Sequence, residues 1–230
     1  ALDDFFNATA SFRNDADVVV PYGRVDKREG REENSGSGWE SDLLLEKSRS
    51  VLFVTSHCVT DSDREGVAMR LNKTIQIDFR GGCASEWDTR VRGPHRDRHR
   101  HGTHMNVELY YFYLAFENSI CQDYVTEKFF DAMAANLVPV VYGGANYSQL
   151  APPHSFIDIQ DFPNEEAAGL YLQHLIDNPK EYQEYFWWKP YYKVAGIGDS
   201  SLTMDRIPPS FPCSLCAEPV SYTHLTLPTK

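Results

Sequence analysis

The sequence lacks a run of about 18 apolar residues, the length that a bilayer-spanning helix needs. It also lacks an initial Met and a basic stretch leading into an apolar one, so no secretory signal is visible. We therefore expect missing sequence upstream of Ala1, where an anchor would lie. Basic residues are scarce, since 22 Lys and Arg against 33 Asp and Glu give a net charge of −11. This balance argues against a general nucleic-acid binder, which needs cations to neutralise phosphates.

Four catalytic patterns are missing as well: Walker A, G-x-G-x-x-G, H-E-x-x-H and G-x-S-x-G. Their absence disfavours P-loop, dinucleotide-binding, zinc-protease and esterase functions. In contrast, 42% of the 230 residues are hydrophobic and 13% are aromatic. This composition provides a packed core and excludes a disordered or fibrous protein.

The five cysteines are an odd number, so at least one has no partner within the chain. Three explanations stay open for Cys213 and Cys216: half of a zinc site, a redox pair, or disulfides to cysteines in a missing N-terminal part. We favour disulfides, because no second C-x-x-C supplies zinc ligands and a redox pair belongs near a βα turn. The glycosylation sequons that begin at Asn7, Asn72 and Asn146 favour a secretory compartment weakly.

Strand and helix patterns alternate from residue 48 to 190. Strands are predicted at 51–56, 74–79, 110–116, 138–142 and 155–159. Helices are predicted after Ser62 to Leu71, from Tyr124 to Asn136 with Asp123 as cap, after Asn164, and from Asn178 to Trp188. The alternation predicts an α/β, Rossmann-like parallel sheet with helices on both faces. Such sheets bind ligands at the carboxyl ends of their strands, which indicates the loops 56–64, 117–124 and 143–148.

Changes in amino-acid composition along the sequence divide the chain into four parts. The first is polar and ends in a charged, Gly/Ser-rich linker, with one short strand at 17–20. The second part holds the predicted sheet, the third contains the C-x-x-C pair, and the fourth has a sequence typical of cloning read-through. In chain order, the four parts are residues 1–47, 48–198, 199–220 and 221–230.

The strongest functional constellation joins the strand end 116–119 to the helix start that follows it. The first turn of a helix offers free N–H groups and a positive dipole end, which suit a phosphate. Lys128 adds a charge, Tyr124 a hydroxyl and a ring, and Asn118 an amide, so together they can hold a diphosphate and part of a sugar. The alternative is a capped amphipathic helix with Glu127 and Lys128 in water.

Arg64 has a similar setting, because Ser62 and Glu65 fit a capping box at the start of its helix. An Arg there can bind the same diphosphate with both arms of its guanidinium. The alternative, which the residues alone favour, is that Arg64 pairs with Asp61 or Asp63.

Metal binding is disfavoured at two places. The D-x-D strings at 15–17 and 61–63 are the kind of pair that carries a divalent ion, but such strings arise by chance in an acidic chain. Four histidines alternate with arginines, whose charge opposes a cation: His95, His99, His101 and His104.

Two stretches, Tyr111–Ser119 and Asp123–Phe129, closely resemble the donor-binding motif of the α1,3-fucosyltransferases, glycosyltransferase family 10. The stretch from Asp15 to Gly23 resembles that family's R-x-D-S-D and V-P-Y-G segments, with Phe12 where many members have Tyr. Further similar segments are 138–143, 155–157, 161–162, 185–188 and the terminal C-x-x-C. The resemblance covers residues 7–216 of this sequence.

The resemblance implies a GT-B-like enzyme with two Rossmann-type domains, of which this chain holds the C-terminal, donor-binding half. By position in the motif, Arg64 and Lys128 contact the donor diphosphate, and Glu127 lies near fucose and stabilises positive charge. Glu127 and Lys128 are thus the implied catalytic residues. The other implied donor-binding residues are Asn118, Tyr124, Ser56 and Tyr113.

The implied reaction moves L-fucose from GDP-fucose to a GlcNAc hydroxyl of a glycan or glycoprotein in α1,3 linkage, with inversion. The general base is a carboxylate upstream of Ala1 in the family, so none is assigned here. The resemblance implies no required metal cofactor, is compatible with stimulation by Mn²⁺, and implies a Golgi type II membrane protein anchored by a missing segment. The family's terminal C-x-x-C bridges to the N-terminal domain.

Two other functions stay open. One is a related glycosyltransferase with a different nucleotide sugar. The other is a non-enzymatic carbohydrate- or protein-binding module, which the Glu127-Lys128 pair disfavours. The acceptor also stays open between the N-glycan core and N-acetyllactosamine.

Overall fold

The computed structural model describes residues 9–28, 47–87 and 106–196. Some interpretations made from the sequence fall outside these ranges. They concern Asn7, the linker beyond residue 28, His95, His99, His101, His104, Cys213, Cys216 and the segment 221–230.

The elements follow one another in α/β order. The strands are β1 (Ala10–Ser11), β2 (Val18–Val19), β3 (Gly23–Lys27), β4 (Arg49–Val54), β5 (Ile77–Arg80), β6 (Tyr110–Phe116), β7 (Val138–Tyr142), β8 (Ile157–Asp158) and β9 (Tyr192–Gly196). The helices are α1 (Arg64–Leu71), α2 (Ala84–Trp87), α3 (Glu127–Ala134), α4 (Glu165–Asp177) and α5 (Pro179–Glu184).

The main sheet has the order β5-β4-β6-β7-β8, and every neighbouring pair is parallel. Val51 lies opposite both Ile77 and Phe112, so β4 is bonded on both edges. The order reverses between β4 and β6, because the chain leaves β4 towards β5 and then crosses back to β6. The predicted Rossmann-like parallel sheet is confirmed.

The sheet has helices on both faces. Leu114 of β6 packs in one cluster with Leu71 of α1 and Leu172 of α4. The next residue, Ala115, points to the opposite face and packs with Phe129 of α3. Each of these side chains is buried, and burying a Leu or Phe side chain contributes about 1.5–3 kcal/mol. The strand period of two therefore assigns successive β6 residues to separate helix layers.

Residues 9–28 pack onto the rest of the chain through a second, smaller sheet. β3 pairs antiparallel with β9, from Gly23 opposite Gly196 to Lys27 opposite Tyr192. Gly23 lies so close to Phe130 of α3 that a Cβ there would overlap the ring. The predicted strand at 17–20 is shorter than expected, since β2 covers only Val18–Val19 and pairs parallel with β1.

Some element bounds agree with prediction and others do not. β6 and β7 have the predicted bounds, and Asn164 caps α4 by accepting the N–H of Ala167 at 2.8 Å. The strand predicted from Thr74 begins only at Ile77, because residues after α1 turn back onto the helix, with Ile75 N–H donating to Leu71 O. The helix predicted to Trp188 ends at Glu184 and continues as turns.

Cysteine pairing was left open by the sequence. Cys58 and Cys83 form a disulfide that joins the loop after β4 to the segment after β5. In the described ranges Cys121 is a free thiol, and it is exposed. No helix in these ranges combines the length and apolar character needed to cross a bilayer.

Two lysines lie in a half-buried cluster where β6 and β7 begin. Lys47 Nζ donates to Tyr110 O at 2.6 Å and to Asn136 O at 2.9 Å. Burial lowers the Lys47 pKa to about 8, helped by the charge of Lys189. Burial, with the charge of Arg28, lowers the Lys189 pKa to about 8 as well.

We predict that stability rises with pH above pH 8. The folded chain gives up these lysine protons near pH 8, whereas the unfolded chain keeps them to above pH 10, so deprotonation favours the folded state in that window. The free energy of unfolding, measured with urea in a Cys121→Ser background, should increase by roughly 1–2 kcal/mol from pH 7.5 to 9.5. Lys47→Met should reduce this increase; an unchanged pH profile would contradict the assignment.

Candidate active site

The candidate site lies where the strand order reverses, between β4 and β6. In open parallel sheets this is where the loops diverge and ligands bind. The loop after β4 runs through residues 55–63 to α1, and the loop after β6 runs through residues 117–126 to α3. Six predicted site residues lie at or just after these two loops: Ser56, Arg64, Asn118, Tyr124, Glu127 and Lys128. Tyr113 belongs to β6 itself.

Direct hydrogen bonds join the loops. Ser62 N–H donates to Asn118 O at 3.2 Å, and Ser62 Oγ donates to Glu117 O at 2.7 Å. Tyr142, at the end of β7, donates its hydroxyl to Ser62 O at 3.2 Å. In addition, Gln122 and Gly144 form an isolated bridge between the second and third candidate loops. The three loops predicted from strand ends therefore meet.

Glu117 is the centre of the site, and it was not among the site residues predicted from the sequence. Its side chain is fully buried. One carboxylate oxygen accepts the Thr126 N–H at 2.8 Å, and both accept from Thr126 Oγ1 at 3.0 Å. A buried carboxylate is costly unless it is hydrogen-bonded and paired. The available signal was an acidic residue directly after a seven-residue apolar strand, a position that predicts burial.

The helix start differs from prediction. Asp123 does not cap a helix beginning at Tyr124; it has a left-handed backbone (φ 61°), and its carboxylate accepts the Asn14 N–H at 3.2 Å. Thr126 is extended and its N–H is bonded to Glu117, so α3 begins only at Glu127. Glu127 and Lys128 are therefore the first two residues of the helix.

Lys128 is held from three sides. Its Nζ lies 2.7 Å from Thr126 Oγ1, 3.4 Å from Glu117 Oε2 and 3.7 Å from Glu127 Oε1. The Lys128 side chain is 19% exposed, whereas that of Glu127 is 41% exposed. The alternative in which both side chains project into water thus fails for Lys128, which carries a positioned charge at the surface of the site.

Arg64 is buried, which neither sequence interpretation expected. Nη1 donates to Phe116 O at 2.9 Å and Nη2 to Thr55 Oγ1 at 2.8 Å. The pairing with Asp61 or Asp63 is not seen; Asp63 instead lies 3.5 Å from Arg70. The Arg64 Nε is buried without a partner among the described residues. Burial lowers the Arg64 pKa, and the negative charge of Glu117 opposes this shift. Diphosphate contact by Arg64 stays a prediction.

The capping box at α1 is also rearranged. Asp63, not Ser62, precedes the first helical residue, and Asp63 has a left-handed backbone (φ 52°). Glu65 turns back to Thr60, two positions before the expected Ser62, and accepts from Thr60 N–H at 2.8 Å and Thr60 Oγ1 at 2.7 Å. Ser62 is thereby released to bond the end of β6.

Arg64 and Lys128 converge on the same strand end. Arg64 bonds the carbonyl of Phe116, and Lys128 lies against the carboxylate of the next residue, Glu117. The two cations that the sequence placed on separate βα junctions therefore belong to one site.

An aromatic group covers the second loop. The Tyr124 ring lies 5.1 Å from Phe12 and 6.3 Å from Tyr22, so residues 9–28 contribute to the site. Burial raises the Tyr124 pKa to about 12, with Glu117 adding to the shift. Phe12, which stands where many members of the resembled family have Tyr, supplies ring packing here.

The remaining predicted residues differ in exposure. Ser56 is exposed at the start of the first loop, and Asn118 is half-buried in the second. Tyr113 is half-buried, and burial raises its pKa, as do the nearby charges of Asp131 and Glu127.

The D-x-D carboxylates at 15–17 already have partners. Arg13 pairs with Asp15 at 2.6 Å, and Asp17 accepts from Thr9 N–H at 2.8 Å. Among the residues that the structure describes, no group of three or more His, Cys, Asp or Glu is arranged to hold a metal ion.

We predict that Glu117→Gln destabilises the protein by about 1–3 kcal/mol, because it removes the buried charge that pairs with Lys128 and accepts from Thr126. Glu127→Gln is the matched control: it removes a half-exposed partner of the same lysine and should cost less than about 0.5 kcal/mol. Urea unfolding monitored by tryptophan fluorescence measures both. Equal losses in the two variants would refute the central role of Glu117.

Comparisons with known proteins point to one family. Residues 44–224 match the family described as glycosyltransferase family 10 (fucosyltransferase) C-term. Alpha-(1,3)-fucosyltransferase C of Drosophila melanogaster is 37% identical over 84% of this chain. Alpha-(1,3)-fucosyltransferase fut-1 of Caenorhabditis elegans is 35% identical over 93% of it. The chain spans 48% of each of these relatives, about half their length.

A solved structure is also similar. It is the crystal structure of an alpha1,3-fucosyltransferase with GDP-fucose, which is 26% identical and covers 63% of this chain and 40% of its own, with a TM-score of 0.46.

Proposed function

This chain belongs to glycosyltransferase family 10, the fucosyltransferases, and we propose that it is the donor-binding part of a GT-B-like α1,3-fucosyltransferase that uses GDP-fucose. The observation that carries the proposal is the position of Lys128. A lysine is fixed at the first turn of α3, at the switch point of a parallel sheet, by a buried carboxylate. Switch point, helix N-terminus and cation together suit a nucleoside diphosphate.

The diphosphate lies over the end of β6 in this proposal. Lys128 contacts it directly, since its side chain is partly exposed and its amine can exchange the long 3.4 Å contact with Glu117 for a phosphate oxygen. Arg64 adds its charge from below the loops, and its Nε has no hydrogen-bond partner among the described residues. Cations near a leaving diphosphate stabilise the negative charge that grows on it as the sugar departs.

The reaction is a single displacement. The acceptor hydroxyl oxygen forms a bond to fucose C1 while the bond from C1 to the GDP oxygen breaks, so the β-linked donor gives an α-linked product. Glu127, beside Lys128 on α3, faces the positive charge of the oxocarbenium-like transition state. A general base outside the described residues takes the hydroxyl proton.

The other predicted residues hold the donor. Tyr124 offers a ring and hydroxyl that Phe12 and Tyr22 keep in place. Asn118 and Ser56 offer polar groups at the rims of the two loops, and Tyr113 lies on the strand between them.

The acceptor, the metal requirement and the compartment are proposed by analogy with the family. We extend the proposal to a GlcNAc hydroxyl on an N-glycan core or N-acetyllactosamine as acceptor, within protein glycosylation. The protein acts without a required metal cofactor, although Mn²⁺ stimulation is compatible with this chemistry. It resides in the Golgi lumen as a glycoprotein, on a membrane anchor outside this chain.

We predict that Lys128→Ala weakens GDP binding at least tenfold, about 1.4 kcal/mol or more, because it removes a charge-assisted hydrogen bond to phosphate. Calorimetric titration with GDP measures this. Lys180→Ala, which removes an exposed lysine of α5, is the control and should bind like the parent. Arg64→Lys keeps the charge and should weaken binding less than Arg64→Met.

Competition with GDP-fucose, GDP-mannose and UDP-sugars identifies the donor, and GDP-fucose should compete best. Equal GDP affinities of the parent and Lys128→Ala would overturn the site assignment. Preference for a UDP-sugar would overturn the donor.

A further inference from the structure

A cavity lies beside edge strand β8, and none of the predicted donor-site residues lines it. Its volume is about 650 Å³, and it opens between the loop 143–148 and helices α4 and α5. The lining side chains used below are Asn146, His154, Asp158, Asp161, Tyr171 and Tyr185.

One wall of this cavity is aromatic. The His154 ring stacks on Tyr185 with 4.0 Å between centroids and 27° between planes. The hydroxyls of Tyr185 and Tyr171 are 2.8 Å apart, which fixes the two rings relative to each other. Phe162 lies 5.4 Å from Tyr171 and extends the wall. Rings of this kind pack well against the C–H face of a sugar or an acetyl methyl group, because both surfaces are apolar.

The cavity lining also contains two acidic residues. Asp158 is half-buried and Asp161 is exposed, and both line the cavity. None of the described lining residues is Lys or Arg. The cavity therefore repels phosphates, unlike the Lys128 site, and suits a neutral ligand whose hydroxyl or amide hydrogens can be donated to carboxylates.

A glycosylation sequon lies on the rim. Asn146 is exposed, lines the cavity and does not cap the turn that follows it. Ser148, the third sequon residue, is exposed and also lines the cavity. By contrast, the Asn72 side chain is engaged, since its Oδ1 accepts the Ile77 N–H at 2.8 Å. Of these two sequons, the one at Asn146 leaves its side chain open to modification.

We propose that Asn146 carries an N-linked glycan and that the first N-acetylglucosamine of this glycan packs into the cavity. The Asn146 amide nitrogen bonds to C1 of the sugar, the bond from C1 to a polyprenyl diphosphate breaks, and the amide proton leaves to a base of the host transferase. The inference rests on the proposed function only for the secretory compartment. A tethered sugar has an effective concentration in the millimolar range, so even a weak sugar site is filled.

Occupancy is tested by secreting the chain from a eukaryotic host behind a cleavable signal. Peptide N-glycosidase in heavy-oxygen water marks each released site, and mass spectrometry reads it. Asn146 should be marked and Asn72 should not. Ser148→Ala should remove the mark at Asn146, whereas Thr74→Ala should change nothing there. An unmarked Asn146 in the secreted protein would overturn the inference.

Packing into the cavity is tested by thermal unfolding after an endoglycosidase has trimmed the glycan to a single sugar. The trimmed protein should melt about 2–4 °C above Ser148→Ala, a difference expected for about 1 kcal/mol in a chain of this size. His154→Ala should abolish this difference. Equal melting temperatures of trimmed and unglycosylated protein would overturn the packing.

GDP titration of the same samples separates the two proposals. If the protein binds GDP but Asn146 carries no glycan, only the glycan proposal is refuted. If Asn146 carries a glycan but the protein does not bind GDP, only the donor-site proposal is refuted.

Discussion

The interaction on which the site depends is the burial of the Glu117 carboxylate at the end of β6. A charge removed from water must be compensated, and here Thr126 and Lys128 provide the compensation. The same bonds decide where α3 begins and orient a cation at its first turn. Because the backbone carbonyl of Glu117 also accepts from Ser62, one residue connects both loops of the switch point.

Charge is distributed unevenly along the carboxyl edge of the sheet. Near β4 and β6 the acidic chain places Arg64 and Lys128 beside Glu117 and Glu127, whereas near β8 the described cavity lining has Asp158 and Asp161 beside aromatic rings and no Lys or Arg. The net charge of the whole chain, −11, therefore does not predict the local charge of either region. Local placement by the backbone decides which ligand chemistry each region suits.

The architecture could be predicted because its signals are periodic and local. The predictions of β6 and β7 from their apolar runs and of the Asn164 cap were correct, and the alternation of strand and helix patterns correctly predicted the parallel sheet. The start of α3 could not be predicted, because Thr126 bonds a residue nine positions earlier and Asp123 adopts a left-handed conformation. Burial of Arg64 and the Cys58–Cys83 pairing likewise depend on contacts between strands that are distant in sequence.

The Cys58–Cys83 disulfide encloses α1, and with it Arg64, in a covalent ring that also includes the whole of β5. Such a crosslink lowers the conformational entropy of the unfolded chain, which destabilises the unfolded state by about 3.5 kcal/mol for a ring of this length. It also ties the β4–α1 side to its neighbouring strand, while the 117–126 loop has no such tether in the described structure. The loop that carries Tyr124 is held by hydrogen bonds and ring contacts instead, so adjustment around a ligand is less restrained there than around Arg64.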